Sequence, residues 1–208
     1  MSQDETYRTI LIALFLILLP PAMYFRIRSQ MTGESLDRRQ EGLFILATLR
    51  PMGAALALGL LAFMINPAWM AWASVPVPGW LRSAGVGVWM LACGLLFWTF
   101  HTLGPNLTDT VVTRKRHTLV MHGPYRFVRH PFYDFVALLV AASALVTANW
   151  FVLAAGVLLF VLMVVRTRTE EAKLLERFGE AYRTYMERTG RFVPRTQSGP
   201  KSGVGGVL

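Results

Sequence analysis

The chain is short of charge and almost without cysteine. Of its 208 residues only 16% are charged and 54% are hydrophobic, against about 25% charged in average soluble domains. A soluble domain built round one large core is therefore excluded. The single cysteine, Cys93, rules out a disulfide within the chain and reads as a small buried hydrophobe in an apolar block. The four histidines, His101, His117, His122 and His130, lack a helical metal-ligand spacing and have no cysteine beside them, so no metal site is expected. No glycine-rich phosphate loop, nucleophile elbow or G-x-G-x-x-G after a strand occurs, and no internal repeat is visible. Dinucleotide binding of the soluble kind is excluded with them.

What is present is apolar length. Hydrophobic blocks run over 9–25, 43–65, 80–100 and 132–165, and a span needs about 20 apolar residues, fewer in a thin membrane. The fold class expected is an all-α membrane protein. The leading MSQDETYR is acidic and no small-residue cleavage site follows, so the first block reads as a span rather than a signal peptide. Pro20 and Pro21 at its end are expected to stop or kink the helix.

The net charge of +9 is unevenly distributed. Arg26, Arg28, Arg38 and Arg39 follow the first block. Arg114, Lys115, Arg116, Arg126 and Arg129 follow the third, and nine of the 21 Lys and Arg lie from Arg166 onward. None lies between Asn66 and Gly79. The positive-inside rule makes the basic loops cytoplasmic. About five spans, with the N-terminus outside and the C-terminus cytoplasmic, satisfy every loop. Orientation and attraction to anionic lipid account for this charge without nucleic acid.

With both ends of the run 132–166 on one side, it must cross twice. Thr147-Ala148-Asn149 is the turn, and each arm of about 15–17 residues reaches near 25 Å. The result is a short helical hairpin. Asn66–Gly79, with Pro67, Pro76, Pro78, Trp69, Trp72 and Trp80, reads as an outer interfacial loop. Arg82, near a span end, is expected to snorkel outward. Arg50, followed by Pro51 inside the second span, faces either a polar cavity or headgroup, or snorkels to the cytoplasmic surface.

Between the third and fourth blocks lies a basic strip ending in GPYRFVRHPFY, residues 123 to 133. It mixes apolar positions such as Val111 and Val112 with turn residues. Pro131 suits the first turn of the next helix, which sets Arg129 and His130 at that helix's positive end, where an anionic group is favoured. After the last apolar block, with Glu170 at 0° and about 100° per residue, Leu174, Leu175, Phe178, Tyr182 and Tyr185 share one face. Lys173, Glu176, Glu180, Arg183 and Glu187 share the opposite one. This is an amphipathic cytoplasmic helix. Glu171 falls in the middle of its apolar stripe, where a lone carboxylate is costly. Its partner is either an arginine of the strip or a cationic ligand. Glu170, at the stripe's edge, lies one turn from Arg166.

These residues resemble a known family. The pattern Leu119-Val120-x-x-Gly123-Pro124-Tyr125-x-x-x-Arg129-His130-Pro131-x-Tyr133 is similar to the core motif of isoprenylcysteine carboxyl methyltransferases and related phospholipid N-methyltransferases. Leu103-Gly104-x-Asn106 upstream, Glu170-Glu171, Phe178-Gly179 with Tyr182 and Tyr185, and the closing Gly190-Arg191-Phe192-x-Pro194 fit as well. The resemblance covers about residues 100–195. It implies S-adenosylmethionine as cofactor, held by Leu119, Val120, Gly123, Tyr125, Arg129, His130, Pro131, Tyr133, Glu170 and Glu171. It implies Arg129, Arg166 and Glu170 at the reaction centre, and a lipophilic or lipidated acceptor drawn from the bilayer. The family often has a small residue shortly after the motif tyrosine; here Asp134 and Phe135 follow, and with Arg50 they are the candidate substrate residues.

The implied organisation is three N-terminal spans over 1–100, a methyltransferase core over 101–195, and a disordered tail over 196–208. The acceptor implied is an isoprenylcysteine-like carboxylate; a phospholipid amine or small thiol is the runner-up. A non-catalytic lipid-binding scaffold and a nicotinamide-dependent membrane reductase are the readings from other classes.

Overall fold

The computed structural model describes residues 2–30, 45–104 and 118–195. Arg38, Arg39, Asn106, Val111, Val112, Arg114, Lys115, Arg116, His117 and the tail 196–208 lie outside the described residues. Every regular element among the described residues is helical. Helix α1 spans Gln3–Gln30, α2 Arg50–Ile65, α3 Gly79–Leu103, α4 Pro131–Thr147, α5 Trp150–Phe178 and α6 Glu180–Arg188. A π-helical turn, Ile45–Leu49, leads into α2. Short 3-10 turns cover Pro67–Ala73 and Gly123–Arg126.

Among the described residues, four helical stretches are long and apolar enough to cross a membrane, namely α1, α2 with the turn before it (Ala47–Ile65), α3 and α5, and α4 is a shorter apolar helix. The outward faces carry Leu16, Ile17, Leu58, Leu61, Met90, Leu91, Leu153, Val157 and Val161, all exposed. Such faces suit lipid, and helices suit it because their backbone bonds are satisfied internally. The chain is a multi-pass membrane protein, as its composition requires.

The hairpin turns where expected. Helix α4 ends at Thr147, Ala148 takes a left-handed conformation (φ 48°), and Asn149 caps α5 by accepting from Val152 N. The segment 66–78 clamps this turn: Val75 N donates to Ala148 O at 2.9 Å and Asn149 Nδ2 donates to Met70 O at 3.1 Å. Trp69, Trp72 and Trp80 are exposed at this end. Small residues let the helices approach closely, a common device where lipid supplies no hydrophobic drive between helices. A Cβ on Gly85 of α3 would stand 3.0 Å from Leu145 Cβ of α4. Deeper in, Trp89 Nε1 donates to Ser143 Oγ at 3.1 Å.

Three expectations need correction. Pro20 and Pro21 do not stop the helix: they lie inside α1, which continues to Gln30; proline's φ is helical, and membrane helices tolerate the lost bonds. Arg82 does not snorkel. It is 3% exposed, donates to Val146 O at 3.0 Å and to Asp4 Oδ1 at 2.8 Å, and stacks over the Tyr7 ring at 4.1 Å. The first turn of α1 brings it a carboxylate, so the charge stays inside. The amphipathic segment is not one separate helix either. Helix α5 runs without interruption from the membrane through Glu171 to Phe178, and α6 begins after Gly179.

Candidate active site

Three pieces of chain meet at the end of the bundle opposite the hairpin turn: the strip 123–130 with the start of α4, the C-terminal half of α5, and α6 with the segment that follows it. Gly123 opens the strip with φ +62°, and a Cβ there would lie 2.5 Å from Thr102 Oγ1 at the end of α3. Only glycine takes this turn without strain at that approach. Pro131 is in the first turn of α4 with His130 as its N-cap residue. Tyr185 of α6 donates to Tyr125 O at 2.6 Å. Burial raises the Tyr185 phenol to about 12, partly offset by Arg129, so the hydroxyl keeps the proton it donates.

The segment after α6 lies along the strip. Arg129 N donates to Gly190 O at 2.9 Å, His130 N donates to Arg191 O at 3.1 Å, and Val128 and Gly190 form a parallel bridge. The Arg129 guanidinium also donates to Met186 O at 3.2 Å and to Thr189 O.

Glu171, 5% exposed, sits at the centre of these pieces. Its Oε1 accepts from Arg129 Nε at 2.9 Å and from Arg191 Nε at 3.2 Å, and faces His130 Nε2 at 3.2 Å; Arg191 also donates to Oε2. Of the two partners the sequence left open, the structure supplies the arginine, and it supplies two. Glu170 is differently placed. Tyr133 Oη donates to its Oε1 at 2.7 Å, and Arg166 Nε lies 2.8 Å from the same oxygen without an aligned hydrogen bond. Its Oε2 has His130 Nδ1 at 3.8 Å. The His130 ring therefore stands between the two carboxylates and stacks on Tyr133 with an interplanar angle of 3°.

The structure thus gathers Arg129, His130, Tyr133, Arg166, Glu170 and Glu171 into one cluster. Leu119 and Val120 are half-buried in the irregular stretch before Gly123. Asp134 and Phe135 are half-buried in the first turn of α4, and Arg50 is exposed at the start of α2. Arg191 stood in the sequence only as part of the closing motif Gly190-Arg191-Phe192-x-Pro194, with no place at the site. The signal for its role at the site was indirect: a carboxylate in an apolar stripe needs cations, and Arg191 follows the amphipathic stretch directly. An open groove of about 570 Å3 runs beside the cluster, lined in part by Arg129, Gly190, Arg191 and Arg195. Among the described residues, no group of three or more His, Cys, Asp or Glu could hold a metal ion.

Fold and site define a polytopic helical membrane protein with an ionic cluster at one end of its bundle. Comparison with known proteins adds a likeness to this class: residues 85–176, from α3 through most of α5, match the model of the isoprenylcysteine carboxyl methyltransferase (ICMT) family. Among solved structures, that of the eukaryotic intramembrane Ras methyltransferase ICMT is similar with a TM-score of 0.52. The match has 20% identity and covers 89% of this chain and 67% of that chain. At that identity the likeness speaks for the fold. No curated protein matches the chain. The resemblance read from the strip and the Glu pair is shown by these matches.

Proposed function

We propose that the chain is a membrane methyltransferase of the ICMT type, using S-adenosylmethionine to methylate a carboxylate on a lipophilic, isoprenylcysteine-like acceptor. One observation carries this reading: within the family-matched segment, the strip and the hairpin helices hold Glu170 and Glu171 against Arg129, His130 and Tyr133. We assign residues 101–195 as the catalytic core. We also assign the cluster to the cytoplasmic face, because the basic residues concentrate at that end.

The donor set fits the cofactor. When bound, S-adenosylmethionine supplies an electrophilic methyl on a sulfonium. Among the described residues, Glu171 is engaged by Arg129, His130 and Arg191, whereas Glu170 Oε2 keeps acceptor capacity beside His130. Glu170 is therefore the carboxylate suited to the cofactor's cationic part. His130 and Tyr133 contact Glu170, and we assign Gly123, Tyr125, Pro131, Leu119 and Val120 with them to the cofactor's wall. Arg166, not locked by an aligned bond to Glu170, can turn toward an acceptor carboxylate.

The charge count favours that acceptor over an amine. Among the described residues, Arg129, Arg166 and Arg191 are paired with two carboxylates, Glu170 and Glu171, so the arginines of the cluster outnumber its carboxylates by one. An anionic acceptor balances the difference. Alignment does most of the work in such a transfer, and exclusion of water strengthens the attraction between opposite charges. Asp134 and Phe135, on the first turn of α4, are assigned to shaping the acceptor's path from the bilayer, and Arg50 to its polar end.

The test is S-adenosylmethionine binding to protein purified in detergent, followed by transfer of a labelled methyl to a prenylcysteine analogue. Binding in the micromolar range, about that of ordinary substrates, and base-labile label on the analogue are expected. Tight NADPH binding with no S-adenosylmethionine binding would sink the reading.

A further inference from the structure

Arg191 lies beyond the family-matched residues 85–176, yet it is bound to the carboxylate at the centre of the cluster. It belongs to a short strap, Thr189–Phe192, that has no regular structure and is held by the strip at every residue. The carbonyls of Thr189, Gly190 and Arg191 accept from Arg129 and His130. The Phe192 ring packs 5.8 Å from both His130 and Phe160. Gly190 must be glycine, because a Cβ would lie 1.8 Å from Val193 O. The strap therefore folds back on itself just where Arg191 turns inward.

We propose that Arg191 is a positioning residue for the site. It rests on the reading of the cluster as a methyltransferase centre. Glu171 is on α5 and Arg129 and His130 are on the strip, so the carboxylate alone would tie two elements. Arg191 adds the third from the far side, donating to both oxygens of Glu171. A fork-shaped guanidinium matched to a carboxylate fixes the plane of that carboxylate. With the plane of Glu171 fixed, the His130 ring has one orientation, Nε2 toward Glu171 and Nδ1 toward Glu170. Without Arg191 the carboxylate can rotate, and His130 and Arg129 lose their common register. Arg191 thus acts on the cofactor wall through Glu171 and His130, while its own side chain is partly open to the groove.

The experiment compares Arg191→Met and Arg191→Lys with the wild type and with Glu171→Gln, in detergent. Three quantities are read: S-adenosylmethionine affinity, melting temperature, and amide hydrogen exchange across 123–133. For Arg191→Met, affinity should fall at least tenfold, exchange in the strip should accelerate, and the melting temperature should stay within a few degrees. Arg191→Lys, which keeps the charge but loses the fork, should fall between. In the Glu171→Gln background, Arg191→Met should add less than threefold. An Arg191→Met protein that binds as the wild type with unchanged strip exchange overturns the proposal. So does one whose losses simply multiply with those of Glu171→Gln. If the wild type itself binds no S-adenosylmethionine, the methyltransferase reading fails, and strip exchange alone decides the role of Arg191.

Discussion

The two adjacent glutamates separate by experiment, because the structure gives them opposite loads. In Glu171→Gln the shape is kept and the amide oxygen can still accept, but the charge is lost. Arg129, 9% exposed, is then left without its carboxylate. Breaking a buried pair in this way costs about 3–5 kcal/mol. The Arg191 contact adds little, since that side chain is 36% exposed and such pairs are worth about 0–1 kcal/mol. In Glu170→Gln, Tyr133 can still donate to the amide oxygen. What is lost is the charge that strengthens the Tyr133 hydrogen bond and faces Arg166, whose side chain is 15% exposed, and about 1.5–3 kcal/mol is the upper scale, that of a hydrogen bond to a charged group. At about 2–4 °C per kcal/mol for a chain of this size, Glu171→Gln should melt roughly 6–20 °C below the wild type by scanning fluorimetry in detergent. Glu170→Gln should melt less far below. Methyl transfer should rank the other way per folded molecule, with Glu170→Gln down about 100-fold, the scale for removing one aimed electrostatic group. A Glu171→Gln protein that melts with the wild type, or below which Glu170→Gln melts, refutes the division of labour.

Two further outcomes follow from the opposite end of the bundle. Asp4 is 46% exposed, but its partner Arg82 is 4% exposed, so Asp4→Asn strands a buried cation. A loss of about 1–3 kcal/mol is expected, below the value for a fully buried pair, read as a lower melting temperature; an unchanged one would mean that Val146 O and the Tyr7 ring suffice. Orientation is tested by cysteine labelling in intact cells. Ser74→Cys, in the outer loop, should react with an impermeant maleimide, and Glu176→Cys, beside the cluster, only after lysis. The reverse pattern would invert the topology.

The spans, the turn at Thr147-Ala148-Asn149, Pro131 at the head of α4 and the burial of Glu171 were all legible from the chain. Each rests on a local property: hydropathy over one helix length, a break in it, proline's missing N–H, or a position on one helical face. Such patterns say which face is buried but not what covers it. Arg82 looked like a snorkelling residue because its carboxylate lies 78 positions away, on α1. The continuity of α5 escaped because the change from an all-round apolar helix to a one-sided one resembles an end. Whether Glu171 met an arginine or a ligand, and that Arg191 closes its far side, depended on the strip, α5 and the strap arriving together. A buried charge announces in the sequence that it needs partners; helix packing alone decides which ones reach it.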